Sequence, residues 1–245
     1  MSLRAENLTI AARLADVKCA LNRGEITAIC GPNGAGKSTL LMALAGLLPA
    51  DAGRAMLGDK PLASLHPKER ARRIGYLPQS ADIAWDVPVR TIVELGRMPH
   101  GDRARAPVDA AISALDLGGF ERRRALTLSG GERARMLLAR VLAGEPEWIL
   151  ADEPLAALDI AHQLTLLTHL RRQAEEGRGV VIVLHDLALA RNHADRVIVL
   201  SEGRVAADGI PQRALSEAVI AEVWGVAARW IGQPGAQALV SDLRV

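Results

Sequence analysis

The segment that most constrains the fold is a glycine-rich run between an apolar stretch and a helical pattern. The run comprises Gly31, Pro32, Asn33, Gly34, Ala35, Gly36, Lys37 and Ser38, followed by Thr39. It fits the pattern G-x-x-x-x-G-K-[ST], in which glycines let the backbone curl until successive N–H groups face a phosphate. The pattern therefore predicts that these residues line a phosphate site, where Lys37 neutralises phosphate oxygens and Ser38 binds Mg²⁺. A glycine turn that only links a strand to a helix is the alternative.

Short apolar runs alternate along the chain with segments of helical spacing. The strand-like runs are Ile26–Cys30, Trp148–Ala151, 180–184 and 197–200. Leucines at helical spacing lie between them, for example in 40–47 and 164–170. This alternation predicts an α/β fold in which a mainly parallel sheet is flanked by helices.

The stretch 80–143 interrupts that rhythm. It contains no convincing apolar strand, but two segments within it, 108–117 and 132–142, have the spacing of amphipathic helices. We therefore predict a helical insert over 80–143.

We predict that residues 1–245 form a single domain around this insert. Its core comprises 1–79 and 144–215, and 216–245 form a C-terminal tail to which the sequence assigns no function. A hairpin turn is expected at 201–204. A small antiparallel β region is expected near the turn residues Gly53, Gly58 and Pro61.

Composition and charge favour a cytosolic chain without a nucleic-acid partner. The net charge is +2, and the 30 basic residues are spread along the sequence rather than gathered in a block. The first residues are charged where a secretory signal would be apolar, and no uncharged apolar run reaches the roughly 18 residues of a membrane span. Cys19 and Cys30 lack metal-ligand spacing, and in a reducing compartment they are expected to be buried thiols.

Two acids follow the apolar run Trp148–Ala151. Asp152 and Glu153 would lie at the carboxyl edge of the parallel sheet, where ligands of such folds bind. Because strand side chains alternate, the two carboxylates should point in different directions if strand geometry persists. Asp152 would then hold Mg²⁺, and Glu153 would face the water that attacks the terminal phosphate. Two solvated acids opening a loop at Pro154 are the alternative.

A second glycine corner precedes the helical pattern of 132–142. It is formed by Leu128, Ser129, Gly130, Gly131 and Glu132. A helix N-terminus favours negative charge by about 0.3 to 1 kcal/mol, and glycines let a phosphate approach the backbone closely. One nucleotide has no obvious need for two such sites from one chain.

The order and spacing of these motifs resemble the ATPase family of ABC transporters over roughly residues 3–214. The resemblance implies a P-loop NTPase core of the RecA-like type, hydrolysis of Mg-ATP and a homodimer. In that family the corner at 128–132, called the signature corner below, binds ATP held by the opposite subunit. The resemblance thus assigns residues 129–132 to nucleotide binding.

Three further residues match the family. Gln79, after the run Ile74–Leu77, resembles a residue that senses Mg²⁺ and nucleotide. His185 resembles a switch at the γ-phosphate, and Asp159, in Ala157-Leu158-Asp159, resembles a residue linking two composite sites. Taken alone they would be an exposed loop glutamine, a core histidine and a helix cap.

The sequence also departs from the family pattern. Residues 10–14 lack the aromatic side chain on which adenine usually stacks, and the stretch looks several residues short. Base stacking on an aromatic is worth about 1 to 3 kcal/mol in nucleic-acid sites, so either ATP binds more weakly or the Arg13 guanidinium replaces the ring. Leu155, Ala156 and Arg133 replace residues common in the family, and none of these changes removes a catalytic group.

Local matches at 96–100, 158–163 and 185–187 resemble the ATPases of importers for iron-siderophore complexes, haem or cobalamin. The implied partners are two copies of an integral membrane permease and, indirectly, an extracytoplasmic substrate-binding protein. The chain would then lie at the cytoplasmic face of the membrane. The segment 96–100 could equally be a turn in the helical insert.

Two other functions share the same motifs. One is a soluble ABC-type ATPase acting on nucleic acid or ribosomes, although such proteins usually carry two cassettes or a long coiled-coil insert. The other is a module that binds ATP without cleaving it, and Glu153 and His185 argue against it.

Overall fold

The computed structural model describes residues 2–79, 86–156 and 158–242. Its strands are β1 (Leu3–Ile10), β2 (Leu14–Leu21), β3 (Ile26–Cys30), β4 (Ala52–Leu57), β5 (Lys60–Pro61), β6 (Ile74–Leu77), β7 (Trp148–Ala151), β8 (Gly179–Val183), β9 (Arg196–Ser201), β10 (Arg204–Gly209), β11 (Ala227–Ile231) and β12 (Ala238–Asp242). Its α-helices are α1 (Lys37–Leu44), α2 (Pro67–Arg73), α3 (Val89–Glu94), α4 (Arg105–Ala114), α5 (Gly130–Ala143), α6 (Ile160–Glu175), α7 (Leu187–His193), α8 (Pro211–Ala214) and α9 (Glu217–Trp224). Short 3-10 turns occur at Leu62–Ser64, Leu95–Arg97 and Ala125–Thr127.

The largest sheet in the described part of the chain has the strand order β10-β9-β3-β8-β7-β6. β9, β3, β8, β7 and β6 pair in parallel, and β10 joins β9 as an antiparallel edge strand. The predicted α/β class with a mainly parallel sheet is confirmed. The turn between β9 and β10 has positive φ at Glu202 and Gly203, as hairpin turns require.

Side chains alternate between two cores on opposite faces of this sheet. Along β3, Ile26, Ala28 and Cys30 face one core, while Ile29 faces the other. The first core is closed by the helices of the insert and α6, and the second by α1 and the antiparallel sheet. Because both faces are covered, these strands appear in the sequence as continuous apolar runs.

The small antiparallel region is larger than the sequence indicated. β1 and β2 precede the predicted turns and join β4 and β5 in the order β2-β1-β4-β5. Residues along β1 are alternately buried and partly exposed, so polar side chains interrupt the apolar ones. A search for continuous apolar runs misses such half-buried strands.

Helices dominate the stretch from 86 to 143, whereas 80–85, the start of the predicted insert, lie outside the described residues. Arg97 ties this stretch to the loop before β7. Its guanidinium is buried and contacts Asp102 and Glu145, each at 2.7 Å, and it donates to the carbonyl of Ala143 at 3.0 Å. The segment 96–100 is therefore a tightly held turn.

The C-terminal tail folds back onto α7. Arg191 donates to Gln237 Oε1 at 2.6 Å and to the carbonyl of Leu215 at 3.1 Å. The same guanidinium lies 4.5 Å from the centre of the Trp230 ring. We call these contacts, together with those between Asn192 and Gln237, the C-terminal clasp.

None of the described helices is both long and apolar enough to cross a bilayer. Cys19 and Cys30 are buried free thiols. Burial raises the pKa of Cys19 to about 11 and that of Cys30 to about 12, so both thiols stay protonated at neutral pH.

Candidate functional site

Four adjacent strands bring the chemical groups to one edge of the main sheet. β3, β8, β7 and β6 are neighbours in that order and run in parallel, so their carboxyl ends meet. The loop 31–38 follows β3, His185 lies just beyond β8, Asp152 follows β7, and Gln79 lies just beyond β6. Segments far apart in sequence therefore converge where ligands of open parallel sheets bind.

The loop 31–38 needs glycine at particular positions. Gly34 and Gly36 have φ of 82° and 97°, in the left-handed region. A Cβ on Gly36 would lie 2.7 Å from the carbonyl oxygen of Arg13, so only glycine fits there without a shift. Lys37 is buried, and its Nζ donates to the carbonyl oxygens of Gly31 and Pro32 at 2.9 Å.

Asp152 follows β7 and lies beside Ser38 in the first turn of α1. Its Oδ1 accepts a hydrogen bond from Ser38 Oγ at 3.0 Å, and Tyr76 donates to Oδ2 at 3.4 Å. Burial raises the pKa of Asp152, while the bonds from Ser38 and Tyr76 and the nearby Lys37 charge oppose that rise. Burial also lowers the pKa of Lys37, against the attraction of Glu153. Carboxylate and hydroxyl oxygens side by side are ligands suited to Mg²⁺.

Sequence reasoning missed Tyr76. It lies on β6 opposite Leu150 of β7, and burial with the Asp152 charge raises its pKa to about 12. The phenol therefore remains a hydrogen-bond donor. The pairing of β6 with β7 brings Tyr76 close to Asp152, and no local sequence pattern predicts that pairing.

Glu153 turns away from Asp152, but not for the reason that strand alternation predicts. β7 ends at Ala151, and Glu153 has φ of 47°, a left-handed conformation that is unfavourable for a residue with a Cβ. Its carboxylate accepts a hydrogen bond from Gln79 Nε2 at 2.6 Å and contacts His185 Nε2. Such backbone strain persists where surrounding structure holds it, often at functional sites.

These groups surround a concavity of about 170 Å³. It is lined by Arg13, Asn33, Gly34, Gly36, Lys37, Ser38, Thr39, Glu153 and His185. Arg13 belongs to the short loop between β1 and β2, at the place where the sequence lacks an aromatic residue. The predicted phosphate loop, Glu153 and His185 thus meet in one place.

The signature corner lies elsewhere. Ser129 caps α5, where its Oγ accepts the Glu132 N–H at 3.3 Å and Glu132 Oε2 accepts the Ser129 N–H at 2.8 Å. This bond with the Ser129 N–H is the main reason that the pKa of Glu132 is lowered. None of the residues 128–132 lines the concavity. Within one chain, the second glycine corner and the phosphate loop do not share a pocket.

Asp159 caps α6 by accepting the His162 N–H at 2.9 Å, and it also lies outside the concavity. Ala157 of the same predicted motif lies outside the described residues. Helix capping alone would explain an acid at this position, since a cap contributes about 1 kcal/mol.

Comparison with known proteins agrees with this geometry. The family model for ABC transporters matches residues 14–156, more than half of the chain. The chain belongs to the ABC transporter family. It is therefore an ATP-binding subunit with ATPase activity.

Two similar proteins within the family are named for hemin import. The chain is 44% identical to the hemin import ATP-binding protein HmuV of Myxococcus xanthus, over 88% of this chain and 86% of that protein. It is 46% identical to HmuV of Streptomyces coelicolor, over 82% of this chain and 74% of that protein.

Solved structures share the whole architecture. An inward-facing metal-chelate type ABC transporter matches with a TM-score of 0.86 and 26% identity, covering 99% of this chain and 98% of that chain. The ADP conformation of an ATP-binding cassette matches with a TM-score of 0.82 and 25% identity, covering 92% and 98%.

Proposed function

We propose that two copies of this chain close around two ATP molecules to drive import through a membrane permease. Each ATP lies between the phosphate loop 31–39 of one copy and residues 129–132 of the other. The observation that carries this proposal is the separation of two phosphate-binding corners within one chain. Each corner is built at a helix N-terminus, and only a second copy could bring both to one nucleotide.

In this proposal Mg²⁺ is held by Ser38, Asp152 and the amide oxygen of Gln79. No cluster of three acidic, histidine or cysteine ligands occurs among the described residues. Mg²⁺ usually binds through one or two protein groups together with phosphate oxygens and water, so this sparse set suits it. The ion would neutralise the charge that develops on the phosphates during transfer.

Glu153 acts as the base toward the attacking water. The bond from Gln79 and the contact with His185 orient its carboxylate at the concavity. A positioned base contributes typically about 10²- to 10⁴-fold to the rate. His185 holds the γ-phosphate end of the nucleotide. Asp159 connects the two ATP sites of the closed pair, each of which is formed by residues of both copies.

ATP favours the closed pair because the triphosphate contacts both copies. Loss of the γ-phosphate removes that differential affinity, and the two copies separate. The proposal thus explains how hydrolysis resets the dimer.

A groove of about 500 Å³ between the core and the helical stretch supports a permease partner. Its lining includes Leu47, Pro67, Met98, Pro99 and Arg140, and Leu47 and Met98 are 56% and 69% exposed. Exposed apolar side chains that line one groove together often mark an interaction surface. Two copies of the chain would engage two permease copies at the cytoplasmic face of the membrane.

The cargo proposed is haem or a related iron chelate. The support is the name of the HmuV relatives, which are 44% and 46% identical to this chain, together with the metal-chelate transporter. An extracytoplasmic substrate-binding protein would deliver the cargo to the permease, so it would contact this subunit only indirectly.

Reconstitution tests this function directly. The chain is co-expressed with the integral membrane permease that is recovered with it from cells, purified as a complex and placed in lipid vesicles. We expect ATP-dependent haem accumulation, and the Glu153→Gln complex should assemble with the permease but not transport. Haem uptake that continues without ATP would contradict the proposal, and so would a chain that never associates with a permease. Hydrolysis stimulated by nucleic acid would favour the soluble alternative.

A further inference from the structure

His162 lies where two motifs of the same chain meet. It occupies the first turn of α6, and its imidazole covers Gly131 of the signature corner. A Cβ built on Gly131 would overlap Cδ2 of that ring and lie 2.6 Å from Nε2. Gly131 is buried by this contact although its neighbours Ser129 and Gly130 are exposed. The ring therefore fixes how far the signature corner can shift toward α6.

Asp159 fixes the orientation of the ring. Its Oδ1 lies 2.7 Å from His162 Nδ1 and also accepts the His162 backbone N–H at 2.9 Å. These bonds hold the pKa of Asp159 below its usual value, with the backbone N–H as the largest cause. The helix cap and the ring contact thus form one rigid unit.

The next residue ties the same helix turn to the loop that carries Glu153. Gln163 Nε2 donates to the carbonyl of Leu155 at 3.3 Å, and the Ala156 N–H donates to the carbonyl of Glu153 at 3.1 Å. The first turn of α6 therefore touches both the signature corner and the acidic loop. In a head-to-tail pair, that loop serves the ATP of its own chain and the signature corner serves the ATP of the other.

We propose that His162 is a positioning residue that sets the signature corner for the ATP held by the partner copy. It acts through the ring packed on Gly131, and Asp159 keeps the ring in place. The inference rests on the proposed dimer. It follows that loss of the ring weakens ATP-driven pairing but leaves each chain's binding of its own nucleotide unchanged.

The test uses the full chain with Glu153→Gln, so that ATP persists. Into this background we place His162→Ala, which removes the ring, His162→Asn, which keeps a donor toward Asp159 without the ring, and His162→Phe, which keeps a ring without the donor. Thr168→Ala, on an exposed position of α6, is the matched control. Sedimentation measures the dimer dissociation constant with ATP, and fluorescent ATP at low protein concentration measures nucleotide binding to single chains.

We expect the dimer of His162→Ala to be weakened about tenfold, within the usual range for coupling between sites. His162→Asn should resemble His162→Ala, and His162→Phe should recover most of the dimer affinity. The dissociation constants of all variants for fluorescent ATP should lie within about twofold of that of the parent, which is much less than a tenfold change. If His162 only stabilised the fold, the variants would differ in thermal stability, but their dimer affinities would not follow this order, in which Ala and Asn are weakened and Phe is close to the parent.

Equal dimer affinity for parent and His162→Ala would overturn the inference while leaving the proposed function intact. If His162→Ala does not fold, His162→Phe and His162→Asn are compared instead. Equal dimer affinities for these two variants would then overturn the inference. A parent that does not pair with ATP would overturn both the proposed function and this inference.

Discussion

At the scale of single residues, burial shifts the pKa of several groups away from its value in the unfolded chain. Lys37 and Asp152 belong to the candidate site, where bound nucleotide and Mg²⁺ would supply opposing charges. His169 on α6 has no role in that site, yet it is buried, and its Nε2 lies 3.9 Å from Asp116 just beyond the end of α4. Its titration therefore reports on folding rather than on catalysis.

We predict that His169 makes the protein less stable as the pH falls below neutrality. Burial lowers the pKa of His169 below 6.5, the charges of Arg172 and Arg135 add to this, and Asp116 opposes it. Below pH 6.5 the unfolded chain therefore binds a proton that the folded chain does not, until the pH reaches the folded pKa. Across that window the free energy of unfolding falls by up to about 1.4 kcal/mol per pH unit.

Denaturant unfolding of parent and His169→Gln between pH 5 and 8 checks this expectation. The variant should lose part of the pH dependence, so its free energy of unfolding should fall less steeply on acidification than that of the parent. Parallel curves over the whole range would contradict the assignment.

At the scale of elements, the candidate site depends on helices and strands that hold particular loops. α7 begins directly after His185, with Asp186 as its cap, and its last turn carries Arg191 and Asn192 of the C-terminal clasp. The sequence alone assigned no role to the tail. The structure shows that the hairpin β11–β12 is anchored on the helix that follows His185.

We predict that Arg191→Ala loosens this hairpin without unfolding the main sheet. The substitution removes charge-assisted hydrogen bonds, worth about 1.5 to 3 kcal/mol, and a cation–π contact of about 0.5 to 2 kcal/mol. Amide hydrogen exchange should accelerate in 227–242, while β3 and β8 stay protected. Arg204→Ala, at an exposed position of β10, is the control and should leave the exchange pattern unchanged. Equal protection of 227–242 in Arg191→Ala and parent would show that the clasp contributes little.

At the scale of the whole molecule, patterns among neighbouring residues predict individual strands, helices and loops, but not the contacts between distant segments. The buried strands of the main sheet and the glycine run before α1 follow from apolar runs and from residue types that tolerate few conformations. The shared sheet edge follows as well, since parallel strands present their carboxyl ends together. Contacts across long sequence separations, such as Tyr76 with Asp152 or His162 with Gly131, depend on tertiary packing and leave no local signal.

The separation of the two phosphate corners is the feature of the whole molecule on which the account depends. In the proposed function neither corner alone would contact both ends of a nucleotide, so the functional unit would be a pair of chains. Glu153→Gln should stabilise that pair because ATP is bound but not cleaved, and the γ-phosphate continues to bridge both copies.

The most direct test is the solution mass of the Glu153→Gln chain, measured by light scattering with and without Mg-ATP. We predict a mass near 26.1 kDa without nucleotide and about twice that mass with it. A Glu153→Gln chain that binds ATP and yet remains at the mass of one copy would contradict the account.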